Sequence, residues 1–494
     1  MKVLFVRPPR YFWPFNSESS SFWQPLGFAN MAAVLREAGF KDIEIIDCLP
    51  IKMGWKTLKE EISRKNPDVV CVGDETASFY ESVKLMQMAK ELNPKTICIA
   101  GGYHFGNTVD LAFNETKADF VIMGEGEITL LELVKAINSG KKDFRKIEGI
   151  AFRDKNGIVV TNKPRPLIKD LDTLPLPAYD LLPMHLYGKD SKNHRDFAAI
   201  EHGRGCTGGC SFCSIWAQMS QDGRPCYRTK SAERSFEETK ILTEKYGRKT
   251  LNWVDGTFNL DPEWSRKYFE LLEAEGIKIQ HTTWMRADCI IRDEKNGVLK
   301  KMVDNGLVQV VIGMERLDDS KRIKMHGKEK NISMEAFSIL KKYPSVYIIA
   351  SLIYGLPEDG KKELKELRRF IYTGYVDFMF ILPYTPYPGT LEWQEYKDKF
   401  NSGDFKTWNL HRPIMGTNKL SRDQLDNWFK GCLFMYLIHP NFYVRTLLEK
   451  DERKKKVQRS MVRKLVKGLY KGIIDSAKGK KEMEYGKKPE WYDS

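Results

Sequence analysis

Short runs of β-branched and other apolar residues alternate with amphipathic stretches, twice over, and this alternation narrows the folds open to the chain. Over residues 1–140, strands are predicted at 2–6, 43–47, 69–73, 96–100 and 120–123. Helices fit between them: 27–38 carries Phe28, Met31, Ala32 and Leu35 at helical spacing, and 80–92 carries Val83, Met86 and Ala89. Strands that alternate with helices require crossover connections, hence a parallel sheet covered on both faces. Ligands of such sheets sit at the carboxyl ends of the strands. Here those ends lead into 7–24, 74–82, 101–107 and 124–127.

Residues 141–195 are rich in Lys, Asp and Pro and read as a connector with a few short strands. The alternation resumes over 196–395, with strands predicted at 252–255, 282–286, 309–313, 346–354 and 378–383 and helices at 232–245, 264–275 and 361–371. Roughly six βα units fit there, enough for a partial barrel that keeps a lateral opening. Residues 396–494 turn helical and basic. The expected fold class is α/β: a parallel-sheet domain, a partial (βα)6 barrel and a helical carboxyl-terminal region. A chain of 494 residues is too long for one core, and two or three domains are expected.

The formal net charge is +14, and residues 451–494 supply half of it, with 14 Lys or Arg against 7 Asp or Glu. Such a segment suits an acidic partner, an anionic membrane surface or nucleic acid, and equally a solvated helical face. A nucleic-acid partner is not expected here. Leu447, Leu448, Val462, Leu465, Val466 and Leu469 make the segment amphipathic, as a cap on the barrel or as a helix lying on a membrane. No run approaches the roughly 20 apolar residues of a transmembrane span. The apolar run at 3–6 is too short for a signal-peptide core, so a cytoplasmic location is expected. Nine cysteines in such a chain do not read as a disulfide framework. Six are scattered and three cluster.

The cluster is Gly203-Arg204-Gly205-Cys206-Thr207-Gly208-Gly209-Cys210-Ser211-Phe212-Cys213. Three thiolates at Cys-x3-Cys-x2-Cys spacing on a glycine-rich loop can wrap one small inorganic cluster, the glycines allowing close backbone approach. An electron-transfer [4Fe–4S] cluster takes four cysteines, so three leave one iron open. Zinc is the competing reading, with His202 as fourth ligand.

This segment resembles the signature of the radical S-adenosylmethionine (SAM) superfamily. The resemblance implies a [4Fe–4S] cluster on Cys206, Cys210 and Cys213, with SAM on the open iron beside Phe212. Reduction would then cleave SAM to a 5′-deoxyadenosyl radical. Later segments fit in order. Val254-Asp255-Gly256-Thr257-Phe258-Asn259 resembles the second-strand pattern, and Gly313-Met314-Glu315-Arg316 falls where a polar residue meets the ribose or carboxylate of SAM. Ile353–Glu358 resembles the strand bordering the adenine, and Pro386–Thr390 the end of the barrel.

The first 140 residues lack Gly-x-Gly-x-x-Gly, which argues against a dinucleotide site. They carry Thr76-Ala77-Ser78, Gly101-Gly102 and Gly124-Glu125-Gly126-Glu127 at strand ends, small residues that let a flat ligand or nucleotide tail slide in. With Gln24–Gly27, this resembles the Rossmann-like cobalamin-binding domain fused to many radical SAM enzymes. The Asp-x-His-x-x-Gly motif that gives cobalt a histidine is absent, and the loop reads Arg10-Tyr11-Phe12-Trp13-Pro14. Cobalamin without a histidine ligand is therefore expected, its lower face against aromatic side chains such as Trp13, with packing under a long loop as the bland reading.

The combined resemblance implies a C-methyltransferase for an unactivated carbon, using one SAM to methylate the corrinoid and a second to make the radical. Methylcobalamin would then deliver the methyl group. A flavodoxin or ferredoxin would supply the electron. An oxidative cyclase or rearrangement enzyme with the same cofactors is the nearest alternative, and a non-catalytic corrinoid or electron-transfer protein the one of another class. Substrate-facing candidates are Trp284, Arg286, Arg316, Tyr354, Tyr384 and Tyr387, at strand carboxyl ends. The substrate itself is open among a protein, a lipid and a small metabolite.

Overall fold

In this computed structural model, the described residues are 1–10, 23–73, 75–187, 196–221, 224–318, 332–399, 405–438, 440–459, 463, 466 and 489–494. The first sheet comprises Val3–Arg7 (β1), Ile43–Asp47 (β2), Val69–Gly73 (β3), Ile97–Gly101 (β4), Phe120–Ile122 (β5), Ile150–Arg153 (β6) and Val159–Thr161 (β7). Its order is β2-β1-β3-β4-β5-β6-β7. The first five strands are parallel, and β6 and β7 extend the edge antiparallel. Alternate residues of β1 serve opposite cores, as a strand period of two requires. Val3 and Phe5 pack with Phe28, Ala32, Leu130 and Leu133, whereas Leu4 and Val6 pack with Trp55, Leu58, Leu85 and Met86. The strand order switches direction between β1 and β3, which opens a crevice at their carboxyl ends.

The second sheet comprises Phe197–Ile200 (β8), Thr250–Trp253 (β13), Gln280–Met285 (β14), Leu307–Glu315 (β15), Tyr347–Tyr354 (β16) and Phe378–Pro383 (β17). Between β8 and β13 lie Gly203–Gly205 (β9), Ser220–Gln221 (β10), Arg224–Pro225 (β11) and Tyr227–Thr229 (β12), which form two small antiparallel ribbons. The six main strands run parallel in the order β17-β16-β15-β14-β13-β8, a barrel left open between its first and last strands. Leu251, Trp253, Val310, Ile312, Ile348 and Ala350 face the covering helices. Val311, Tyr347 and Ile349 pack on the opposite face with Phe378 and Phe380. The edge strand β8 is covered by Gln24, whose Oε1 accepts from Ala199 N at 2.8 Å and whose Nε2 donates to the Phe197 carbonyl at 3.5 Å.

The carboxyl-terminal segment 452–459 sits at the barrel base. Arg453 donates to the carbonyls of Val308 and Ser345, Lys454 Nζ lies 3.3 Å from Asp377, and Val457 packs with the inner-face residues. Farther on, Tyr492 joins a core cluster of the first domain, and the carbonyls of Tyr492 and Ser494 accept from Trp55 N and Thr57 N at 3.0 and 3.1 Å. Val462, Leu465 and Leu469 lie outside the described residues, and Val466 is exposed. Among the described residues no helix is long and apolar enough to cross a membrane.

Candidate functional site

The cysteine loop is launched by the ribbon of β9 and β12. Gly205 has φ +84°, and a Cβ there would lie 1.9 Å from the Cys226 carbonyl oxygen, so only glycine passes. Cys206 N donates to that carbonyl at 3.2 Å and Cys213 N to the Cys210 carbonyl at 3.1 Å. Gly208 N donates to Cys206 Sγ at 3.4 Å. A Cβ on Gly208 would lie 3.6 and 3.7 Å from the sulfurs of Cys206 and Cys210, so both thiols face the same bare stretch of backbone. Burial pushes the Cys210 thiol up to about 12, with the neighbouring thiols adding to the effect, and burial raises Cys213 as well. Alone, these thiols keep their protons; iron would displace them.

The donor set fits an iron–sulfur cluster. His202, the fourth ligand that zinc would need, is already committed. Its Nδ1 lies 3.0 Å from Asp255 Oδ2, its Nε2 lies 3.2 Å from the Tyr227 hydroxyl, and its ring stacks on Trp264 at 3.9 Å. Among the described residues, no group of three or more His, Cys, Asp or Glu is placed to hold a single metal ion. Three thiols without a fourth ligand match a cluster with one open iron.

Asp255, expected at the cofactor, instead supports the loop from below. Its Oδ1 accepts from His202 N and Gly203 N at 2.9 and 2.5 Å, and the residue is 4% exposed. Glu315 lies near enough to the thiols for its charge to raise Cys210 and Cys213. It holds φ +58° at a register shift in β15, and its Oε1 lies 2.4 Å from where a Gly313 Cβ would be. A non-glycine residue in that conformation carries strain of about 1–3 kcal/mol, which marks functional positions. Phe212 packs against the cluster of side chains that includes Ile353, Leu356 and Tyr384.

Four of the six residues expected to meet substrate, Arg316, Tyr354, Tyr384 and Tyr387, are held by protein partners. Arg316 is buried, with both terminal nitrogens on Asp359 at 3.0 and 2.8 Å and one on the Ile353 carbonyl. Asp359 also receives Gly355 N and Leu356 N, so the pair shapes the Gly355-Leu356-Pro357 turn. Tyr354 points outward into the helical core, stacked with Phe429 at 5.6 Å, because residues of β16 alternate faces and it falls on the covered one. Tyr387 donates to the Trp408 carbonyl at 3.0 Å. Tyr384 donates to Glu392, whose other oxygen accepts from Ser211 Oγ at 2.6 Å. That bridge ties the cysteine loop to the end of the barrel, beside a cavity of ≈ 210 Å³ that Ser211, Leu356, Tyr384 and Glu392 help to line.

On the first sheet, small residues do form the carboxyl edge. Gly101 and Gly73 touch closely (a Gly73 Cβ would lie 3.0 Å from the Gly101 carbonyl carbon), Gly102 has φ +80°, and Gly124 has φ +72° with open space at its Cβ position. Gly126 fits against Met31. Ser78 Oγ donates to the Glu75 carbonyl at 2.9 Å, and Thr76 Oγ1 meets His104 Nδ1 at 3.2 Å. Trp13 lies outside the described residues. Glu125, expected to border the ligand, is a buried clamp instead. It pairs with Arg204 and Arg228 at 2.9 Å and accepts from Ile168 N, while Glu127 takes a second nitrogen of Arg204 at 2.6 Å and Glu201 a third at 2.9 Å. Arg204 stands two residues before Cys206, so this network holds the cysteine loop against the first domain. The charge beside the cysteines was the available signal for it.

The cysteine loop therefore lies beside the first sheet's carboxyl edge. Gln218 Nε2, in the helix Ser214–Met219, reaches the Gly102 carbonyl at 3.4 Å. Tyr103 is 42% exposed and close enough to Glu201, Arg204 and Cys213 to feel their charges. Trp23, Val254 and Trp284 are likewise exposed. Neither Tyr103 nor His104 stood out in the sequence, since a lone aromatic after Gly-Gly has no distinctive spacing.

A radical SAM superfamily model matches residues 200–371 and a B12-binding domain model residues 14–134. An uncharacterized methyltransferase of Pyrococcus horikoshii is 29% identical over 461 residues, covering 91% of this chain and 95% of that protein. The anaerobic magnesium-protoporphyrin IX monomethyl ester cyclase of Rubrivivax gelatinosus is 26% identical over 99% of this chain and 85% of its own length. Among solved structures, the radical SAM methyltransferase TsrM of Kitasatospora setae, with cobalamin and a [4Fe–4S] cluster bound, superposes with a TM-score of 0.64 at 15% identity. That match covers 81% of this chain and 78% of the other and speaks for the fold alone.

Proposed function

This chain is a radical SAM enzyme with an amino-terminal B12-binding domain, and from that premise we propose that it transfers methyl groups to an unactivated carbon. One observation carries the reading: the three-thiol loop lies beside the glycine-lined edge of the B12-binding domain. When bound, the cluster with SAM supplies a hydrogen-abstracting radical, and cobalamin supplies a methyl carrier.

In this reading Cys206, Cys210 and Cys213 hold three irons, and Glu315 orients SAM from β15. Gly101, Gly102, Gly124, Thr76 and Ser78 border the cobalamin and its nucleotide tail. Cobalt receives no histidine. His104, beside that edge, bonds Thr76 and is enclosed by Phe79, Phe105 and Phe405. The Arg204 network fixes the spacing of the two halves. The apolar inner wall of Val311, Ile349 and Phe380, with Trp284 stacked at 6.3 Å, excludes water from the reacting carbon. Tyr384 and Glu392 hold a proton beside Ser211. A flavodoxin or ferredoxin supplies the electron, and thiols that must stay reduced to hold iron suit the cytoplasm.

The cyclase relative favours a second reading, ring closure with the same cofactors. The deciding experiment is anaerobic incubation of the reconstituted enzyme with SAM, cobalamin and a low-potential reductant. Both 5′-deoxyadenosine and S-adenosylhomocysteine should form. 5′-Deoxyadenosine alone would favour the cyclase, and neither product would overturn both.

A further inference from the structure

Arg286 follows β14, where it was expected to meet substrate, yet its guanidinium lies over the cysteine loop. Its Nη1 is 3.0 Å from the position a Gly208 Cβ would take, a position itself 3.6 and 3.7 Å from the sulfurs of Cys206 and Cys210. The side chain is aimed from behind. Asp288 grips Nε and Nη2 at 2.9 Å each, and Asn259 holds the Arg286 backbone on both sides, accepting from its N–H at 3.0 Å and donating to its carbonyl at 3.4 Å. Glu315 acts on the same thiols with the opposite sign. A fixed cation on one flank and an anion on the other constitute an electrostatic setting for whatever charge the loop carries. Net charge and hydrogen bonds at the sulfurs are the protein's levers on an iron–sulfur potential.

We propose that Arg286 is a positioning residue that raises the reduction potential of the cluster, with Asp288 and Asn259 holding it in place. Reduction adds one negative charge beside a cation that cannot leave, which favours the reduced form. The inference rests on the three-cysteine cluster and not on methyl transfer, and its test uses neither substrate nor turnover. In anaerobically reconstituted full-length protein, iron per chain and the midpoint potential of the cluster signal in electron paramagnetic resonance are measured together. Arg286→Gln should keep the iron content and lower the potential by about 59 mV, a factor of ten in the one-electron equilibrium. Arg286→Lys should recover part of the loss, and Asn259→Ala, which loosens the anchorage of Arg286 without changing any charge, should lower the potential by less. An unchanged potential in Arg286→Gln at full iron content overturns the proposal. Should Arg286→Gln fail to load iron, Asn259→Ala decides: an unshifted potential there overturns it too.

Discussion

The two carboxyl edges that meet beside the cysteine loop are built on opposite plans. The barrel edge concentrates its chemistry in side chains, three thiols within eight residues on one loop, flanked by Arg286 and Glu315. The first-domain edge offers mostly backbone: Gly101, Gly102 and Gly124, with Thr76 and Ser78 turned toward their own domain. A site that binds through side chains is lost with a single atom, whereas a site that binds by shape tolerates any change that leaves room.

The largest test of that contrast is Cys206→Ala, Cys210→Ala or Cys213→Ala. Each should abolish the cluster and 5′-deoxyadenosine formation while cobalamin binding, followed by its visible absorption, stays intact; joint loss of both cofactors would show that the halves are not independent. Next in size is Arg204→Met, which leaves Glu127 as an uncompensated buried charge and Glu125 with Arg228 alone. Loss of one partner from such a buried network should cost about 3–5 kcal/mol in denaturant unfolding. A cost below that of an exposed pair would remove the clamp from the account. A third test, read as a slope rather than as a loss, is common to both halves. His104 and His281 are each held at about 3 by burial, one in each domain. A histidine depressed this way is neutral when folded and takes its proton on unfolding. Stability is therefore full above the unfolded value of about 6.5 and falls as pH drops below it, by about 1.4 kcal/mol per pH unit for each histidine. The double variant H104N and H281N should flatten the slope between pH 6.5 and 4.5; an unaltered slope would assign the acid sensitivity to other groups.

The plan of each edge also decided how legible it was. Strands 43–47 and 69–73 lie where apolar periodicity put them, and 378–383 likewise, since a buried parallel strand is a short unbroken apolar run. The barrel's first strand, Phe197–Ile200, was not singled out, because four apolar residues between a connector and a glycine loop have no period to read. The cysteines were visible because their spacing is local. The partners of Glu125, Arg316 and Tyr354 were not, since each is met across tens of residues or more by a packing that only the folded chain defines. Polar residues near a motif were read as facing the ligand, and several proved to be supports one layer behind it.

The single amide of Gln24 has a consequence for the barrel's open rim. An open barrel exposes the hydrogen-bonding groups of its first strand, and the ordinary remedy, another strand, would wall off the flank beside it. A side chain that satisfies Phe197 and Ala199 through its own oxygen and nitrogen quiets that rim at the width of one residue. The open barrel thus has its exposed rim satisfied without a seventh strand.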